Sequence, residues 1–230
     1  MKKITMLFVL LFIFSCQKNN LEGFLLKGDV KGLNNSTLLV LKFIGDNMEL
    51  DSISVSNDKF EYKGNVDEPY FVQLLIKDGK STKGKLTEFM LENSKIEITG
   101  NSIEYDSVKV KGSKSDKTLK KYFADDKLLS DKWDKLKVDY DKFVEENDTI
   151  NRKKIAKQLN QIVQVDKVNL VKKYVRENSN SKIGALIPNF CTIENELNQN
   201  DWKEIYEYLT PEIRETGYGK RILKKLDTIN

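Results

Sequence analysis

The chain carries two thiols and no imidazole. Its cysteines are Cys16 and Cys191, and it has no histidine. Without histidine there is no Ser-His-Asp triad, no Cys-His nucleophile and none of the commonest zinc sites. No CxxC pair is present, so dithiol chemistry has no local motif. Cys191 follows Asn189 and Phe190 and precedes Thr192, Ile193 and Glu194. None of these supplies the cation or helix N-terminus that lowers a thiol pKa, so a buried structural cysteine is expected.

The remaining reactive groups read as structural. Asp125-Asp126 offers carboxylates to a cation, but EF-hand spacing is missing, and a solvated helix face is the expectation. Trp133, Tyr140 and Phe143 recur at helical spacing and read as core rather than as the wall of a ligand groove. Lys109, Lys111, Lys114 and Lys117 could meet anionic lipid heads; a charged strand end and loop accounts for them. Asp51 and Ser52 are expected to shape a turn and a strand entry through side-chain to backbone hydrogen bonds. No residue is assigned to catalysis, to a metal or to a cofactor, and the binding residues stay open.

Cys16 has a different setting. Lys2 and Lys3 precede an unbroken apolar run from Met6 to Phe14; Ser15 and Cys16 follow, and then Gln17, Lys18, Asn19 and Asn20. Charge, apolar core and small residue in that order make a secretory signal. The run is too short to span a bilayer, which takes about 20 residues. A cysteine directly behind the small residue resembles a bacterial lipoprotein signal. The resemblance implies cleavage before Cys16 and acylation of its thiol and amine, with the membrane as partner. Cys191 then has no intrachain disulfide partner.

The elements that surround these residues follow from composition and period. Apolar residues make up 39% and aromatic residues 10%, as in a folded protein. The formal charge is +4, of which Lys2 and Lys3 supply two. Such a small excess, on a secreted chain, argues against a dedicated nucleic-acid binder. From Leu21 to Gly112 the pattern is strand-like. Thr37 to Ile44 is an apolar run between turn residues, and Ile53 and Val55 alternate with serines. Phe60 and Tyr62 alternate with Glu61 and Lys63 beyond Asn57-Asp58, which predicts a hairpin between these two strands. Tyr70 to Ile76, Phe89 to Leu91, Lys95 to Thr99 and Ser107 to Val110 add further strands, and Pro69 suits a strand start. Short strands at this spacing predict an antiparallel β-sandwich or open barrel.

Beyond Gly112 the period lengthens. Leu129, Trp133, Leu136, Tyr140 and Phe143 predict a helix from about Ser115 to Asn147. Asp148 or Thr149 caps a second, with Ile155, Leu159, Ile162, Val163, Leu170 and Tyr174 on its apolar face. Ser181 caps a third, in which Pro188 must fall in the last turn or at a kink. Asp201 is expected to cap Trp202 to Leu209, and Pro211 to open the last helix. The fold class is α+β, divided into a signal peptide (1–15), a lipidated cysteine and tether (16–22), a β domain (23–112) and an all-helical region (113–230).

Leu50-Asp51-Ser52, then Asn57 to Gly64 with Phe60 and Tyr62, then Glu68-Pro69 resemble a small β domain of unknown function. That domain stands at the N-terminus of lipid-anchored proteins of Bacteroides-like Gram-negative bacteria. Tyr174 to Ser181 is similar to the helix end that follows it there. In many relatives a thioredoxin-like domain with a Trp-Cys-x-x-Cys motif comes next; this sequence stops at Asn230, before it. The resemblance implies a non-catalytic front half. Two readings follow: a lipid-anchored binding or scaffold protein with an envelope protein partner, or an accessory subunit of a separate thioredoxin-like oxidoreductase or an unrecognised envelope enzyme. The missing histidine and CxxC favour the first.

Overall fold

The computed structural model describes residues 22–44, 47–79 and 81–228. Eight strands come first: β1 (Phe24–Lys31), β2 (Thr37–Ile44), β3 (Asn47–Ser54), β4 (Lys59–Gly64), β5 (Tyr70–Asp78), β6 (Ser81–Leu91), β7 (Lys95–Asn101) and β8 (Glu104–Lys111). They form two four-stranded sheets, in the orders β4-β1-β7-β8 and β3-β2-β5-β6. All pairings are antiparallel except that of β1 with β7. Alternate residues of a strand point to opposite faces. Leu26 and Val30 of β1 therefore meet Leu38 and Val40 of β2, Val72 and Leu74 of β5, and Ile96 and Ile98 of β7 in a closed core. This is the sandwich expected from the strand pattern.

The predicted hairpin between the strands around Ile53 and Phe60 does not form. Asn57 and Asp58 adopt φ of 50° and 66° and make the expected tight turn, with one bridge between Ser56 and Lys59. Beyond that bridge the strands part: β3 pairs with β2 in one sheet, and β4 with β1 in the other. The reason lies in packing. The Phe60 ring lies on Gly28 of β1, so close that a Cβ there would stand 2.0 Å from the ring.

The helices follow Gly112, whose φ of +98° lets the chain turn where a Cβ would meet the Lys95 carbonyl at 1.8 Å. Ser113 caps α1 (Lys114–Glu145), its hydroxyl accepting from the Asp116 N–H. Asp148 caps α2 (Thr149–Gln161), which runs through a π-helical stretch (Ile162–Lys167) into α3 (Val168–Glu177). One uninterrupted helix was the expectation; the π turn adds a residue per turn and re-aims everything after it. Ser181 caps α4 (Lys182–Phe190), with Pro188 in its last turn. The cap of α5 (Gln199–Tyr208) is Asn198, not Asp201. Asp201 closes the capping box from inside, accepting from the Asn198 N–H at 3.1 Å, and also pairs with Lys172 of α3 at 2.9 Å. The last helix is broken into α6 (Pro211–Arg214) and α7 (Gly217–Thr228).

The sheet order puts β5 and β6 between two cores. Phe89 and Leu91 face the sandwich, while Met90 between them joins the helical core of Leu119, Tyr174, Leu186, Trp202 and Ile222. Phe71 of β5 packs on the same side as Met90. The helices thus form a third layer on one end of the second sheet.

Candidate functional site

The seam between sheet and helices opens into a cleft of about 340 Å³. Its walls are the β4–β5 loop (Val66 to Pro69), Glu92 and Asn93 after β6, the start of α1 and the start of α4. A larger cleft of about 650 Å³ shares Val66, Asp67, Glu68 and Lys182 and adds Lys42, Glu49, Tyr70 and Glu215. The loop is held from several sides. The Asn93 side chain accepts from the Val66 N–H at 2.9 Å and donates to the Val66 carbonyl at 2.8 Å. Tyr218 of α7 donates to the Pro69 carbonyl at 2.8 Å, and the Lys182 ammonium donates to the Asp67 carbonyl. Gly217 admits the Glu68 carboxylate where a Cβ would stand 2.2 Å from it. The Glu92 carboxylate accepts from the Lys114 N–H and from the Ser115 hydroxyl and N–H, so it satisfies free donors at the α1 N-terminus. Both signs of charge line the walls, an arrangement suited to a polar or zwitterionic ligand.

Asp51 and Tyr62 lie near this opening. The Asp51 carboxylate accepts from the Ser52 N–H at 2.7 Å, the local bond expected from the sequence. Its other oxygen accepts from the Tyr62 hydroxyl at 2.7 Å and from Lys42 at 3.5 Å. Asp51 is on β3 and Tyr62 on β4, the edge strands of the two sheets, so this bond clasps one open side of the sandwich. The Tyr62 phenol, then the Ser52 N–H, hold the Asp51 carboxyl below its ordinary value. Burial, helped by the Asp51 hydrogen bond, pushes the Tyr62 phenol up.

The Asp125-Asp126 pair is not a solvated face. Asp125 accepts from the Tyr174 hydroxyl at 2.7 Å. The Asp126 side chain is only 4% exposed, and the Lys167 side chain opposite it 9%. Lys167 comes from the π-helical stretch and donates to Asp126 at 3.1 Å, to Ser130 at 2.8 Å and to Thr192 at 3.3 Å. The Thr192 hydroxyl donates to Asp126 at 3.0 Å, and Ser130 donates to the Asp126 carbonyl at 3.2 Å. A serine beside a lysine is also the geometry of a Ser-Lys nucleophile. Here an ammonium has three donors and meets three acceptors, and Ser130 already spends its proton on the backbone. The cluster therefore acts as a satisfied polar network. Tyr122, buried on the same face of α1, has no partner for its hydroxyl among the described residues, and burial pushes its phenol well up.

The other singled-out residues stay apart. Cys191 is buried, its thiol donating to the Pro188 carbonyl at 3.2 Å, and burial pushes it up to about 12. Trp133, Tyr140 and Phe143 are half-buried and join neither core. Lys109, Lys111, Lys114 and Lys117 are exposed around the β8–α1 junction, where only Lys114 reaches the cleft. Cys16 lies outside the described residues. Among the described residues no group of three or more acidic or cysteine side chains could hold a metal ion, and no helix is long and apolar enough to cross a membrane. No curated protein matches the chain. The strands that build the Asp51–Tyr62 clasp and the β side of the cleft, together with the first turn of α1, fall within residues 24–119, which match the family model of a domain of unknown function (DUF4369).

Proposed function

We propose that the chain is a lipid-anchored protein of the cell envelope with a non-catalytic binding role. The observation that carries this reading is the order of the leader: Lys2-Lys3, the apolar run Met6 to Phe14, Ser15, then Cys16. Cleavage before Cys16 frees its amine for acylation, and its side-chain thiol is the second acylation site. Several acyl chains together anchor stably, at about 0.8 kcal/mol per buried CH₂. Gln17 to Asn20 then form a short polar tether to the first strand. Position 17 is not Asp, and no acidic cluster follows Cys16; both favour the outer membrane, facing the periplasm. The binding surface in this reading is the cleft of about 650 Å³ beside the seam, where charges of both signs meet around Tyr70.

The test is metabolic labelling with a fatty acid. The wild-type chain should take up label and partition into detergent, and Cys16→Ser should lose both. Label entering the Cys16→Ser chain would overturn the anchor. Protease added to intact cells should spare the protein and digest it once the outer membrane is opened; digestion in intact cells would reverse its orientation.

A further inference from the structure

The second half of α1 and the whole of α2 form an arm that the fold leaves largely uncovered. Buried residues of α1 end at Asp126, and in α2 only Leu159 is buried. The two helices pack on each other, and Trp133, Leu136, Tyr140, Phe143 and Ile155 on them are half-buried.

Charge is divided unevenly between them. On α1, Lys127, Lys137 and Lys142 each reach an acid four residues on, at 2.6 Å, 2.5 Å and 3.9 Å. Helix α2 holds Arg152, Lys153, Lys154 and Lys157 and no acid, and none of the four makes an ion pair among the described residues. At 100° per residue Ile150, Lys153, Lys154, Lys157 and Gln161 share one side of α2, opposite Ile155 and Leu159. All five are exposed, Ile150 at 82%. Beside them Lys132 and Lys157 flank a groove of about 230 Å³, with Gln158 and Gln161 as its other polar walls and Ile162 as its apolar one.

We propose that this outer face of α2, with the groove beside it, docks on an anionic lipid bilayer. The unneutralised cations match the negative potential of such a surface, and the groove has room for a headgroup phosphate between two lysines. Ile150, at the start of the same face, gives the helix an apolar side chain to press into the headgroup boundary. A nucleic acid would use the cations and leave Ile150 without a role. The contact does not depend on acylation of Cys16, because the face is complete without it.

The test uses the unacylated chain without residues 1–21, which keeps every described residue. It should sediment with vesicles containing phosphatidylglycerol and not with pure phosphatidylcholine, and added salt should release it. The triple variant Lys153→Glu/Lys154→Glu/Lys157→Glu should bind more weakly by about fivefold per lysine even for simple loss of charge, on the order of a hundredfold in all. These residues are exposed, and an unchanged circular dichroism spectrum will verify the fold. Ile150→Ser should weaken binding without changing its salt dependence. Lys109→Glu/Lys111→Glu should leave it intact. Equal binding to both vesicle types, an unaffected triple variant, or an equal loss in the Lys109/Lys111 variant would overturn the proposal. So would tighter binding to a short DNA duplex than to the anionic vesicles.

Discussion

Replacing Asp126 by Ala leaves the Lys167 ammonium buried beside two hydroxyls and no carboxylate. In the native fold the side chains are 4% and 9% exposed, and the pair is 3.1 Å apart. Breaking a buried pair from one side costs about 3–5 kcal/mol, because the remaining charge is uncompensated. At about 2–4 °C per kcal/mol for a chain of this size, the melting temperature should fall by about 6–20 °C. Lys167→Met should lose a similar amount, since Asp126 would keep only the Thr192 hydroxyl and its local contacts. The double variant Asp126→Leu/Lys167→Met removes both charges, and exchanges of this kind are often neutral or stabilising. It should therefore melt well above either single variant. Urea titrations with an unchanged slope would show that stability, rather than the unfolded state, has moved. A loss below about 1 kcal/mol for Asp126→Ala, or a double variant whose loss equals the sum of the singles, would refute the account of a coupled, desolvated pair.

Two further predictions concern titration. Cys191 has its thiol pushed from 9.0 up to about 12 by burial; the folded state holds that proton more tightly, so the stability it contributes is complete below pH 9 and falls as pH rises toward 12. Native Cys191 should accordingly resist alkylation at pH 8 and react at once in denaturant; rapid labelling of the folded protein would contradict its burial. Tyr62→Phe removes the clasp between β3 and β4 and should cost about 0.5–1.5 kcal/mol at neutral pH, the modest end for a partly exposed carboxylate. The Asp51 carboxyl is depressed from 3.8, so this contribution is present above that value and fades as pH falls through the folded one; an equal cost for Tyr62→Phe at neutral and strongly acid pH would refute the assignment.

Local patterns legible in the sequence decided the class of each segment. The alternation of Phe24, Leu26, Gly28 and Val30 makes a strand because period two places those residues on one face. Ser113, Asp148 and Ser181 cap helices because a side-chain oxygen can take up a free N–H wherever it stands. The leader around Cys16 depends on order alone and needs no fold to be read. Partner choice was not legible. The Asn57-Asp58 turn looks the same whether its strands pair or part; the close seat of Phe60 on Gly28 sends β4 to the other sheet. Asp201 carries a capping side chain, yet the cap lies three residues earlier, at Asn198.

The polar network was half visible. Asp126 falls in the apolar register of Leu119, Tyr122, Leu129 and Trp133, and Lys167 falls four residues from both Val163 and Val171. A charge at an apolar register signals a buried partner, and the two signs are opposite. What the sequence could not supply was the π turn that aims Lys167 at Asp126, or the approach of Thr192 from beyond α4. The cleft between sheet and helices was likewise hidden: Asp67, Glu92 and Lys182 are distant in sequence, and only the docking of Met90 and Phe71 into the helical core brings them to one rim. Local chemistry is written residue by residue along the chain, whereas contacts between remote segments depend on how whole faces pack, which is set by the tertiary structure.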